Sequence, residues 1–204
     1  MTKPDAPFKI ACLGWGSLIW DPQHLALASG LFNDGPTAPV EFSRQSANGR
    51  ITLVLDPAAA PQTLLWAELS CRDLQSAKEA LKKREGLTGR NWSQGIGVWQ
   101  RGDPAPTPIN DLPAWAEAHG IDAVIWAAFG PKFNNESKPP TVKELLDYLG
   151  LLRDEEQQRA RQYVENTPVQ INTAHSSRPS SNTLANSALR WLTFIGLPRP
   201  PGTA

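Results

Sequence analysis

The sequence is poor in cysteine, carries no excess charge of either sign and has no long apolar run. Its 204 residues include only two cysteines, Cys12 and Cys71, which cannot form a disulfide framework. The three histidines do not lie at metal-ligand spacing, so we expect no metal site. The 20 Lys and Arg residues balance 20 Asp and Glu residues. Because nucleic acids and anionic membranes are bound through basic faces, we expect neither as a partner.

No segment approaches the roughly 18 apolar residues of a membrane span, and the first residues lack the apolar region of a secretory signal. Together with the few cysteines, these absences predict a cytoplasmic protein. No sequence repeat recurs at a fixed period, which excludes a solenoid or a propeller. The length suits one domain with a sizeable core. The sequence does not indicate an oligomeric state.

We predict a single domain over residues 1–204, with its core in residues 8–166. A polar stretch without periodicity occupies residues 168–183. Apolar residues at helical spacing then predict a C-terminal helix at 184–195 that docks on the core, followed by a loose tail at 198–204.

Short apolar or β-branched runs bounded by Gly, Pro or Asp predict strands, and apolar residues at helical spacing predict helices between them. The predicted strands are 8–13, 51–55, 63–69, 96–99 and 123–129. The predicted helices are 21–30, 73–85, a short one around Trp115 that Gly120 ends, one that a Thr141–Glu144 capping box begins, and 154–165. This mixture predicts an α+β fold built on a sheet or a small barrel.

The glycine-containing loop after the first strand is the first candidate site. It comprises Gly14, Trp15, Gly16, Ser17 and Leu18, and the glycines allow a ligand to approach the backbone closely. Such a loop can direct backbone N–H groups into one concavity that binds a carboxylate or an oxyanion. The phosphate-loop and dinucleotide motifs are absent. A tight turn that only redirects the chain is the alternative.

Glu85 is the second candidate, because it ends the predicted 73–85 helix on its apolar stripe. That stripe consists of Leu74, Ala77 and Leu81. A carboxylate there loses hydration and lies at the negative end of the helix dipole, and both effects favour the neutral acid that proton transfer requires. The alternative is a frayed last turn, with Glu85 in solvent or paired with Arg84 or Arg90.

Four segments of the chain resemble the γ-glutamylcyclotransferase-like superfamily, most closely its ChaC branch, which degrades glutathione. Residues 13–20 are similar to that family's opening phenylalanine-glycine-tyrosine-glycine-serine-leucine-isoleucine-tryptophan, with Trp15 in the place of the tyrosine. Residues 42–57, with Phe42-Ser43-Arg44, Gly49-Arg50 and Asp56-Pro57, resemble its next segment. Residues 80–86 resemble the helix end with the family's catalytic glutamate, and residues 123–141 its late strand and following loop. The resemblance spans residues 9–165.

This resemblance implies a small mixed β-barrel of about five to seven strands flanked by helices, here with a C-terminal helical extension. It also implies a reaction without a cofactor or a metal, in which the α-amino group of a γ-glutamyl substrate attacks its own γ-carbonyl and 5-oxoproline is formed. Glu85 would be the general acid/base, and residues Gly14 to Leu18 would bind the γ-glutamyl head, with Ser17 as a binding residue and not a nucleophile.

Glutathione is the first substrate that the resemblance suggests. Two other functions remain open: a ligand-binding or interaction protein without turnover, and a cyclotransferase for γ-glutamyl amines or γ-glutamyl amino acids. In the polar stretch, Arg178 is a further candidate for binding a substrate carboxylate.

Overall fold

The computed structural model describes residues 7–173, which form an α+β fold with seven strands and four helices. The strands are β1 Ile10–Gly14, β2 Thr37–Gln45, β3 Ile51–Leu55, β4 Pro61–Thr63, β5 Leu65–Glu68, β6 Ile96–Gln100 and β7 Ala123–Ala127. The helices are α1 Leu74–Arg84, α2 Leu112–His119, α3 Val142–Leu151 and α4 Asp154–Glu165. The predicted α+β class is therefore confirmed. The predicted helix at 184–195, the tail at 198–204 and Arg178 lie outside the described residues.

Two sheets organise the strands of residues 7–173. The larger has the order β5-β1-β7-β6, with β1 parallel to β7 and antiparallel to β5, and the smaller has the order β3-β2-β4. None of the helices in the described part of the chain has both the length and the apolar character of a membrane span.

Strand β1 lies between two hydrophobic cores, which explains why all five of its residues are buried. Ala11 and Leu13 pack into the larger core with side chains of β2 and β3. Ile10 and Cys12 face the opposite side and pack into a smaller core with α1. Successive residues of a strand point to opposite faces, so a strand covered on both faces is continuously apolar.

Helix α1 has the ends that the sequence predicts. Asp73 caps its first turn, accepting a hydrogen bond from the Ser76 amide at 2.8 Å. Ala77 and Leu81 are fully buried in the smaller core. Glu85 is the C-terminal cap residue, and its amide donates to the Leu81 carbonyl at 2.9 Å. Packing of the apolar stripe thus fixes the position of the last turn of α1 and of Glu85, the residue that caps it.

The predicted helix at 21–30 is wrong. Gln23 has a positive φ of 48°, and Leu27 forms an isolated antiparallel bridge with Leu69. The Ala28 amide donates to the Glu68 carbonyl at 2.7 Å. The segment is therefore held extended along the edge of β5, where sheet pairing prevails over the local helix signal of Asp21-Pro22.

The longest strand of the described chain, β2, was not predicted. It contains Pro39 and the charged residues Glu41 and Arg44, which interrupt the apolar alternation that identifies a strand. Glu41 is nevertheless 5% exposed. Pairing with β3 on one side and β4 on the other stabilises β2.

The capping box at the start of α3 is confirmed and leads to a stability prediction. The Thr141 hydroxyl accepts from the Glu144 amide at 3.2 Å, and the Glu144 carboxylate accepts from the Thr141 amide at 2.8 Å. We expect Thr141→Ala to lower the free energy of unfolding by about 1 kcal/mol, because the helix loses a cap. Urea unfolding measures this change. The exposed Thr88 offers a control, since Thr88→Ala removes no cap, and equal losses in both variants would contradict the assignment.

Candidate active site

A cavity of about 260 Å³ lies at the end of β1, and the predicted site residues of the glycine loop and Glu85 line it. The glycine loop contributes Gly14, Trp15, Gly16, Ser17 and Leu18, and the end of α1 contributes Glu85. The structure therefore brings together two features that are about 70 residues apart in the sequence. It does so because α1 packs against the β1 face that carries Ile10 and Cys12.

The loop needs glycine because other side chains approach it closely. A Cβ at Gly14 would lie 2.7 Å from Ile19 Cδ1, and one at Gly16 would lie 2.5 Å from the Tyr163 hydroxyl oxygen. The loop then turns, with the Ile19 amide donating to the Gly16 carbonyl at 2.9 Å. A larger residue at either position would displace the loop or the side chain behind it.

Two aromatic side chains hold the loop from behind. The buried Trp15 indole donates to the Leu53 carbonyl at 3.3 Å and so anchors the loop to β3. Tyr163 of α4 accepts a hydrogen bond from the Leu53 amide at 3.3 Å and a further backbone hydrogen bond from Ser17. Burial raises the pKa of Tyr163 to about 12, so this hydroxyl is neutral at physiological pH. Tyr163 was not predicted as part of the site.

Glu85 faces the cavity as half of an ion pair. The side chains of Arg84 and Glu85 are only 7% and 13% exposed, and Arg84 Nη1 lies 2.5 Å from Glu85 Oε1. Arg84 also donates to the Ser17 hydroxyl at 3.0 Å and to the Asp21 carbonyl at 3.0 Å. Of the alternatives that the sequence leaves open, pairing with Arg84 is the one observed. The carboxylate is thus withdrawn from bulk solvent and connected to the glycine loop.

The opposite wall carries two arginines that sequence reasoning did not identify as site residues. Arg50 lies over the Tyr163 ring, 5.4 Å from its centroid, and its buried Nε has no hydrogen-bond partner among residues 7–173. Arg44 lies over the Phe129 ring and donates to the Gly130 carbonyl at 3.0 Å. Burial lowers the pKa of Arg44 from its ordinary value. Neither guanidinium has a carboxylate of residues 7–173 within ion-pair distance.

Among residues 7–173, the charged residues that line this cavity are three arginines and one carboxylate, Glu85. The carboxylate already has Arg84 as its partner, so Arg44 and Arg50 leave the cavity with unbalanced positive charge. An anionic small molecule is the ligand that such a cavity favours.

Comparisons with known proteins were made by sequence and by structure. No protein-family model matches the sequence, and no curated protein does. Among solved structures, a γ-glutamyl cyclotransferase specific to glutathione from yeast is similar, with a TM-score of 0.43 and 13% sequence identity. The likeness covers 90% of this chain and 99% of the yeast chain. A similarity at this level carries no argument about the site, whose interpretation rests on its geometry.

The histidine and cysteine side chains of residues 7–173 do not line this cavity. No group of three His, Cys, Asp or Glu in residues 7–173 is placed to hold a metal ion. His24 and His119 do not line the cavity, so Ser17 has neither of them as a base. His175 lies outside the described residues. Burial raises the pKa of the Cys12 thiol to about 12, so Cys12 stays a thiol at physiological pH and is a poor nucleophile.

Proposed function

We propose that the protein cyclises a γ-glutamyl compound to 5-oxoproline and releases the attached amine or peptide, with glutathione as the first substrate to test. The observation that carries this proposal is that Glu85 and the glycine loop line one cavity. The reaction is intramolecular, so the site has to fold the substrate, move one proton and bind the charges of the substrate.

Glu85 is the group suited to move that proton. The attacking α-amino group arrives as a cation, and Glu85 is the one carboxylate among the described residues that line the cavity. In this scheme Glu85 takes a proton from the α-ammonium group, and the freed amine forms a bond to the γ-carbonyl carbon, whose oxygen takes up the electron pair of the carbonyl double bond. The carbonyl re-forms as the bond from that carbon to the leaving nitrogen breaks, and the protonated Glu85 donates its proton to the leaving nitrogen. Glu85 then passes the second proton of the ring nitrogen to the released amine, which leaves as an ammonium ion.

The remaining groups of the cavity would orient the γ-glutamyl head. Arg50, which lines the cavity and has no carboxylate partner among residues 7–173, would bind the α-carboxylate. The backbone from Trp15 to Leu18 would contact the γ-carbonyl oxygen as negative charge develops on it. Ser17, whose hydroxyl accepts from Arg84, would bind and not attack the substrate.

The Arg84–Glu85 ion pair favours a second candidate function, a ligand-binding protein without turnover. Glu85 Oε1 is already bound by Arg84 Nη1 at 2.5 Å, so only Oε2 is left to accept a proton from the substrate ammonium. If that proton transfer does not occur, the positively charged cavity still binds an anionic γ-glutamyl compound.

Incubation with several γ-glutamyl compounds separates these functions. The purified protein is mixed with glutathione, γ-glutamyl amino acids and γ-glutamyl-lysine, and 5-oxoproline is measured by mass spectrometry. Release from at least one of them is the expected result. Binding measured by calorimetry without any release would support the ligand-binding function, and neither binding nor release would contradict both.

A further inference from the structure

A second, more open cavity of about 760 Å³ adjoins the first. Arg44 and Ser46 line both cavities, so the two share a wall at the end of β2. Lys132 and the side chains of Asn134 and Asn135 complete the second cavity on the side of the loop that follows β7.

Main-chain pairing with β2 fixes this loop in place. The Gln45 amide donates to the Lys132 carbonyl at 2.7 Å, and the Lys132 amide donates to the Ser43 carbonyl at 3.0 Å. The Asn134 amide donates to the Gln45 side chain at 3.1 Å. Lys132 is therefore held beside β2, where its backbone forms an isolated parallel β-bridge with Arg44.

The charged lining of the second cavity is entirely cationic. No Asp or Glu lines it, and neither Arg44 nor Lys132 has an acidic partner among residues 7–173. By contrast, Lys82, Lys138 and Lys143 each form an ion pair with a carboxylate. Two cations that share a cavity without a carboxylate repel each other and favour an anionic group between them.

The first cavity also has limited space. Its 260 Å³ falls just below the range of about 300–1,000 Å³ that small-molecule sites occupy. It therefore suits the γ-glutamyl head, and the second cavity offers space past Arg44 for the rest of a substrate.

We propose that the second cavity binds an anionic end of the leaving group through Arg44 and Lys132. This inference rests on the proposed function and deepens it. The substrate would be a γ-glutamyl peptide or amino acid with a carboxylate on its leaving part, in preference to a neutral or cationic γ-glutamyl amine.

Two substrates and two variants test this subsite. Glutathione and its C-terminal amide differ only in the terminal carboxylate. We expect the wild-type protein to show about tenfold higher kcat/KM for glutathione than for the amide, through KM. Lys132→Gln should remove most of this preference by raising KM for glutathione. Lys138→Gln, which changes an exposed lysine paired with Glu136 outside both cavities, is the matched control and should keep the preference.

Equal kcat/KM for the two substrates in the wild-type protein would overturn the subsite, and so would a Lys132→Gln variant that behaves like Lys138→Gln. If no substrate releases 5-oxoproline, the proposed function fails, and calorimetric titration with the same two compounds decides the subsite separately. A preference for glutathione that Lys132→Gln abolishes would support it, whereas no preference or no binding would overturn it. Circular dichroism establishes that both variants are folded.

Discussion

Replacing Glu85 with Gln is expected to lower the rate of 5-oxoproline release from glutathione by about a thousandfold, a loss typical of a removed general acid or base. The amide retains the shape of the side chain and can accept a hydrogen bond from Arg84, but it cannot take a proton from the substrate ammonium. The loss should therefore appear mainly in kcat. Steady-state assays of 5-oxoproline by mass spectrometry measure it.

Glu79→Gln is the matched control, because Glu79 lies on the exposed side of α1, away from the cavity, and interacts with Lys82 and Gln75 of the same helix. This variant should retain wild-type activity. A Glu85→Gln variant that still releases 5-oxoproline at a comparable rate would remove Glu85 from the mechanism. A drop of equal size in both variants would instead point to damage to α1.

The position of Glu85 could be predicted because it depends on local order along one helix. The spacing of Leu74, Ala77 and Leu81 defines the buried stripe, and Gly86 with φ of 63° allows the chain to turn directly after the cap residue. The choice between solvent and Arg84 as the partner of Glu85 could not be predicted. The choice is decided by the Ser17 hydroxyl and the Asp21 carbonyl. They accept hydrogen bonds from Nη2 and Nε of Arg84 and so hold the guanidinium beside Glu85.

The cationic wall could not be predicted in the same way. Arg44 belongs to β2. Pro39 and the buried Glu41 interrupt the apolar pattern of this strand, so β2 is recognised only from its pairing with β3 and β4. Arg50 precedes β3, and it reaches the cavity because the β2–β3 hairpin closes beside the loop. The positions of Arg44 and Arg50 depend on contacts between segments that are distant in the sequence. The periodicity within one segment does not predict such contacts.

The contact between Gly16 and Tyr163 also joins distant segments, and it leads to the second large prediction. Gly16→Ala would place a Cβ 2.5 Å from the Tyr163 hydroxyl oxygen. Tyr163 is 4% exposed and packs edge-on against Trp20 and Phe42, so it has little room to move. We expect a loss of about 2 kcal/mol in the free energy of unfolding, measured in urea, and a marked loss of activity as the loop shifts away from Glu85.

Removal of the Tyr163 oxygen should reverse much of this damage. In Gly16→Ala/Tyr163→Phe the nearest atoms to the new methyl would be Tyr163 Cζ and Leu53 Cβ, at the ordinary contact distances of 3.6 and 3.8 Å. Tyr163→Phe alone should cost about 2 kcal/mol through the lost hydrogen bonds from the Leu53 and Ser17 amides. The double variant should then be about as stable as Tyr163→Phe, which gives a coupling of about 2 kcal/mol. Gly30→Ala, where a Cβ meets no atom within 4 Å, should change stability little. If the costs of the two single variants simply add, the loop is not held against Tyr163, and the cavity facing Glu85 lacks the rigid base that catalysis requires.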